Sequence, residues 1–130
     1  MKGPYVQHND IESSVESIVK AFEYAIPNRK IRGRAKNGRE FVSAYFPLEG
    51  NQFEDASTLP TRAFVQLAIR GSRRPYDVWL QFTIQEKTES GKYVVKSYDQ
   101  DRAQKVLDRL KRYLSARPDK DDFIDDFRAF

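Results

Sequence analysis

An α+β fold is predicted by three patterns: apolar residues at helical spacing near both ends, period-two alternation between them, and an Asn37-Gly38 pair where a hairpin would turn. Together they give a five-stranded antiparallel meander with an N-terminal and a C-terminal long helix packed on one face (α-β5-α), followed by a short C-terminal amphipathic segment. At 130 residues the chain suits one domain. Residues 1–9 read as an arm, 10–117 as the single α+β domain and 118–130 as an acidic-aromatic segment.

The first helix is expected from Asn9 or Asp10. Ile11, Val15, Ile18, Val19, Phe22 and Ala25 keep a 3.6-residue period, Glu12 stands three after Asn9 as in a capping box, and Pro27 ends the run. Glu12, Glu16 and Glu23 lie on its polar side, where carboxylates serve solubility more often than acid-base chemistry.

Two strands, 30–36 and 39–46, then flank Asn37-Gly38, a pair favoured in type I′ turns because both central positions take positive φ. Pairing Lys36 with Arg39 places Ile31, Gly33, Ala35, Val42, Ala44 and Phe46 on one face. Arg32, Arg34, Lys36, Arg39, Phe41, Ser43 and Tyr45 share the other. Residues 47–61 are rich in turn formers and read as a long loop with Leu48 and Phe53 as tethers.

The third strand, 62–70, turns Ala63, Val65, Leu67 and Ile69 inward and Arg62, Phe64, Gln66, Ala68 and Arg70 outward. In the fourth, 76–85, Tyr76, Val78, Leu80, Phe82 and Ile84 face the core, so Trp79 stands outside with Asp77, Gln81, Thr83 and Gln85. A fifth, 92–98, has no assignable inward face. Asp99 is expected to cap a second helix to about Ser115, with Ala103, Val106, Leu107, Leu110, Tyr113 and Leu114 on its apolar side and Arg102, Lys105, Arg109 and Arg112 in a basic stripe.

The residue types restrict the chemistry. Cysteine is absent, which removes thiol catalysis, thiolate metal ligation and disulfides, and which suits a reducing cytosol and a bacterial envelope domain equally. His8 is the only histidine and falls in the expected arm, so no histidine triad or metal triad is expected in one chain. Gly33 and Gly38 have the spacing of a phosphate loop, but Arg39 and Glu40 stand where Lys and Ser or Thr belong. A calcium loop beginning at Asp119 fails at Phe123, Ile124 and Phe130. No apolar run approaches the ~20 residues of a membrane helix. A non-enzymatic chain without cofactor or metal is the expectation.

What remains is a surface. The net charge of +4 divides into −3 over 118–130, where five Asp face Lys120 and Arg128, and +7 over the rest. A basic body with an acidic end suggests an anionic partner or self-docking. The expected binding face comprises Arg32, Arg34, Phe41, Tyr45, Arg62, Phe64, Arg70 and Trp79. The expected docking segment offers Phe123, Ile124, Phe127 and Phe130, whose rings would decide the docking while the aspartates orient it. The first reading is therefore a protein-interaction or self-assembly module, partnered by another protein, by its own C-terminal segment or by a second copy in a homodimer. The alternative is single-stranded nucleic acid, since bases stack on rings and arginines follow phosphates. An RNA-recognition motif is not signalled, because its glycine-flanked aromatics and its βαββαβ order are absent.

Overall fold

The computed structural model describes residues 3–116. Among them lie six strands and two helices: β1 (Val6–Ile11), α1 (Val15–Ala25), β2 (Ile31–Arg34), β3 (Glu40–Ser43), β4 (Thr61–Arg70), β5 (Tyr76–Lys87), β6 (Tyr93–Tyr98) and α2 (Gln100–Ala116). The sheet is antiparallel in the order β1-β5-β4-β3-β2, with β6 also on β5. β5 is long enough to hold two partners along one edge. β1 pairs with its first half, Val6 opposite Leu80, and β6 with its second half, Tyr98 opposite Thr83.

That arrangement corrects the simple five-strand meander. Residues 6–11, expected as the end of an arm and the start of the first helix, form β1 instead. Asp10 sits at φ +60° and donates its N–H to Asp77 Oδ1 at 3.1 Å, a left-handed position that Asp tolerates but a helix does not. The helix therefore begins later. Ser14 caps it by accepting from the Ser17 N–H at 3.1 Å, so Ser14, not Asn9 with Glu12, is the N-terminal signal. Ile11 is buried from the strand, which is why it matched the helical period by coincidence.

The core forms between the sheet and both helices. Ile18, Phe22 and Ala25 of α1 and Ala103, Val106, Leu107 and Leu110 of α2 join Val65, Leu67, Ile69, Val78, Leu80 and Phe82 in one cluster. Asp99 accepts from the Arg102 N–H at 2.9 Å at the head of α2, as expected of a cap. Arg109 of α2 donates from Nε and Nη2 to the Ala25 carbonyl at 2.9 and 2.6 Å, satisfying an orphan acceptor at the end of α1 and tying the helices together.

The β2–β3 hairpin keeps its expected register near the turn, Arg34 opposite Phe41 and Gly33 opposite Val42. Its turn is different: Gly38 N–H bonds to Ala35 O at 3.0 Å, Gly38 alone of the pair has positive φ (+69°), and Asn37 Oδ1 accepts from Arg39 N–H. A register shift between Ile31 and Gly33 then changes which residues share a face. In the loop 47–60, Leu48 packs on the core as expected, whereas Phe53 is 68 % exposed and does not tether it; Ala56 is buried.

Candidate functional site

β4 and β5 place their outward residues as the alternation dictates. Arg62 stands opposite Gln85, Phe64 opposite Thr83, Gln66 opposite Gln81, Ala68 opposite Trp79 and Arg70 opposite Asp77. This second face is turned away from the helices, and Tyr45, Tyr93 and Tyr98 join it from the neighbouring elements.

Trp79 is covered by its own chain. Tyr5 stacks on the indole at 4.7 Å with 15° between the planes, and the Arg70 guanidinium lies 4.6 Å from it. The approach to β1 holds Tyr5 there, because Gln7 pairs with Trp79, Gln81 donates to Pro4 O at 3.2 Å and Gln100 donates to Tyr5 O at 3.4 Å. Gly3 completes the strap at φ +80°, so close to the Tyr98 ring that a Cβ would come within 2.5 Å of it. The strap supplies a stack but no acceptor: Trp79 Nε1 is buried with no hydrogen-bond partner among the described residues.

At the other end of the face, guanidinium groups and rings alternate. Arg32 lies 4.3 Å from the Tyr45 centroid, Arg62 lies 3.6 Å from Tyr45 and 3.4 Å from Tyr93, and Phe64 meets Tyr45 edge-on at 5.7 Å. Arg62 is 9 % exposed and fully occupied: it also donates to Gln85 Oε1 at 2.8 Å and to Ser57 O. Tyr93 is fixed in turn by a 2.6 Å bond from its hydroxyl to Leu59 O. Arg32 is exposed, and its Nε bonds to Ser43 O at 3.3 Å.

Six of the eight expected face residues are therefore on this side: Arg32, Tyr45, Arg62, Phe64, Arg70 and Trp79. Phe41 is not. It lies opposite Leu67 and is buried in the helix-side core, and Arg34 goes with it, 5.5 Å from its ring. Val42 takes the outward place opposite Gln66. The parity recovers by Phe46, which bridges core residue Ala63 one register step away from the β3–β4 pairing, and Ser43 fills the irregularity by accepting from Val65 N–H at 2.9 Å. Sequence reasoning placed Gln85 outward through the β5 alternation but missed Tyr5 and Tyr93 as parts of the face. Tyr93 lies in the strand whose inward face was not assignable, and Tyr5 precedes any recognisable period. Phe123, Ile124, Phe127 and Phe130 lie outside the described residues.

The electrostatics of the face are one-sided. Among the described residues no carboxylate comes within ion-pair distance of Arg32, Arg62 or Arg70. Asp77, opposite Arg70, directs its Oδ1 to the Asp10 backbone instead. Beside Ser57, Asp55 is held below the ordinary aspartate value, chiefly by the Ser57 N–H and then by the Ser57 side chain. His8 lies in β1 opposite Val78, and no cluster of three metal-ligating side chains occurs among the described residues. No helix among the described residues is long and apolar enough to cross a membrane. Compared with known proteins, the chain matches no family model and no curated protein.

Proposed function

We propose that this chain is a non-catalytic protein-interaction module whose second sheet face receives an acidic segment of a partner protein. The observation that carries this reading is that the aromatic rings of the face are already engaged, while the outermost guanidinium groups have no carboxylate partner among the described residues. Tyr45 is approached by two arginines and Trp79 by Tyr5 and Arg70, so neither ring offers an open platform for a base. Arg32 and Arg70, both exposed, offer donor forks suited to carboxylates, stiffened by the rings beneath them.

The distance between the two also matters. Arg32 lies 5.6 Å from the Phe64 ring, and Phe64 and Arg70 are six positions apart on one strand, about 20 Å at the rise of a β-strand. An extended acidic segment spans both arginines, whereas a small anion meets only one. Truncating either arginine is expected to weaken binding about ten- to a hundredfold, from the loss of one charge-assisted interaction of roughly 1.5–3 kcal/mol.

The test is a titration of the full chain with an Asp/Glu-rich peptide and, separately, with a single-stranded oligonucleotide, followed by the emission of Trp79, the only tryptophan. Saturable peptide binding that falls in Arg32→Ala and Arg70→Ala supports the reading. Saturation by the oligonucleotide alone, with a log-log salt slope near −2 as about three phosphate contacts require, would replace it with anionic-polymer binding.

A further inference from the structure

Between the ends of the two helices lies a cleft of about 510 Å³ lined by Tyr24, Arg109, Arg112, Tyr113 and Ala116. It belongs to the helical layer, on the opposite side of the sheet from Trp79. Its walls combine two kinds of surface. Tyr24 and Tyr113 form a tilted ring pair 5.0 Å apart, and Tyr24 is 46 % exposed. Around them stand three guanidinium groups, since Arg29 lies 4.6 Å from the Tyr24 ring beside Arg109 and Arg112.

Arg109 is repelled by both Arg112 and Arg29, and Tyr24 offsets only a smaller part of that repulsion. Burial, and then the charges of Arg112 and Arg29, depress the pKa of Arg109, and no carboxylate among the described residues pairs with any of the three. Arg109 spends Nε and Nη2 on the Ala25 carbonyl, which accounts for its position but leaves the excess charge unneutralised.

We propose that residues 118–130 of the same chain dock in this cleft. Ala116, the last described residue, lines it, so the segment sets out from the rim. It has the two surfaces the walls lack: five aspartates for the guanidinium groups, and Phe123, Ile124, Phe127 and Phe130 for the tyrosine pair, of which Tyr24 is exposed and Tyr113 half-buried. The apolar groups recur at one, four and seven positions after Phe123, the spacing of one side of a helix, with aspartates between them. Thirteen residues also span the distance to the second sheet face, but that path must leave a complementary site at its origin and pass around the sheet edge. Docking in the cleft leaves the Arg32 and Arg70 face open to a partner, so this inference and the proposed function stand or fall separately.

The lack of cysteine makes the test clean, because Asp126→Cys introduces one unique site for a nitroxide label on the full chain. Loss of the amide signals of Tyr24, Arg29, Arg112 and Tyr113 in the labelled chain, relative to its reduced form, is the expected result. In the same background Arg112→Glu is expected to restore those signals while circular dichroism remains that of the parent. Signal loss around Arg70 and Trp79 instead, no loss at all, or loss seen only when unlabelled isotope-enriched chain is mixed with labelled chain, would overturn the assignment.

Discussion

Arg62 shows how a charged residue is buried on a sheet face without an acidic partner. Its plane lies between Tyr45 and Tyr93, and its N–H groups reach Gln85 and Ser57 O, so contacts with rings and acceptors offset desolvation. Arg62→Ala is expected to destabilise the fold by on the order of 3 kcal/mol, two desolvated cation–π contacts and the charge-assisted bonds being lost together. Arg62→Lys is expected to recover only part of that in denaturant unfolding, because an ammonium has no planar fork; full recovery would mean that charge alone matters. Asp55 adds a pH dependence in the same loop. Its carboxyl is depressed, chiefly by the Ser57 N–H, so the turn it stabilises is fully supported above the ordinary aspartate pKa of about 3.9 and is lost as pH falls through the lower folded value. A carbon-detected titration should find the Asp55 midpoint below the ordinary value, and a midpoint at or above it would contradict the Asp55–Ser57 bond. The outward place of Trp79, Arg62, Phe64 and Arg70 was legible from alternation alone. Their engagement was not, since which ring meets which guanidinium depends on neighbouring strands that single-strand periodicity does not order.

The elements differ in how plainly they announce themselves. β4, β5 and α2 are long and regular, and their inward residues match the expected sets because period two and period 3.6 run unbroken. Where one residue is inserted, the pattern fails. The register shift after Ile31 and the slip between Val42 and Phe46 send Phe41 into the core, and a further shift opposite Ile84 and Gln85 explains why β6 had no readable inward face. β1 was hidden for another reason: its tie to β5 is a contact between distant parts of the chain, and Asp10 at positive φ breaks its run. The strap ahead of β1 gives an element-scale expectation. Gly3→Ala places a Cβ against Tyr98 and forces a side chain into the left-handed region, at a cost of about 1–2 kcal/mol. The strap should detach while the domain stays folded, with Trp79 emission shifting to the red; unchanged emission would show that Tyr5 holds the stack without Gly3.

As a whole molecule the protein is two-sided. Helices cover one face of the sheet, and a thin layer of stacked arginines, tyrosines and the N-terminal strap covers the other. The basic body and acidic end read from composition become two separate basic sites, one on each side, of which the helix-end cleft was visible in sequence only as the stripe of Arg102, Lys105, Arg109 and Arg112. Arg29 and Tyr24 join the cleft only through the packing of α1 on α2. Arginine Nε–Hε resonances report directly on whether the sheet face receives an acidic segment. Titrating the full chain with an Asp/Glu-rich peptide should shift the Arg32 and Arg70 side-chain signals along one saturable curve, with Arg62, already occupied, moving little. Saturable peptide binding elsewhere on the chain, with Arg32 and Arg70 unmoved, would contradict a site on the sheet face.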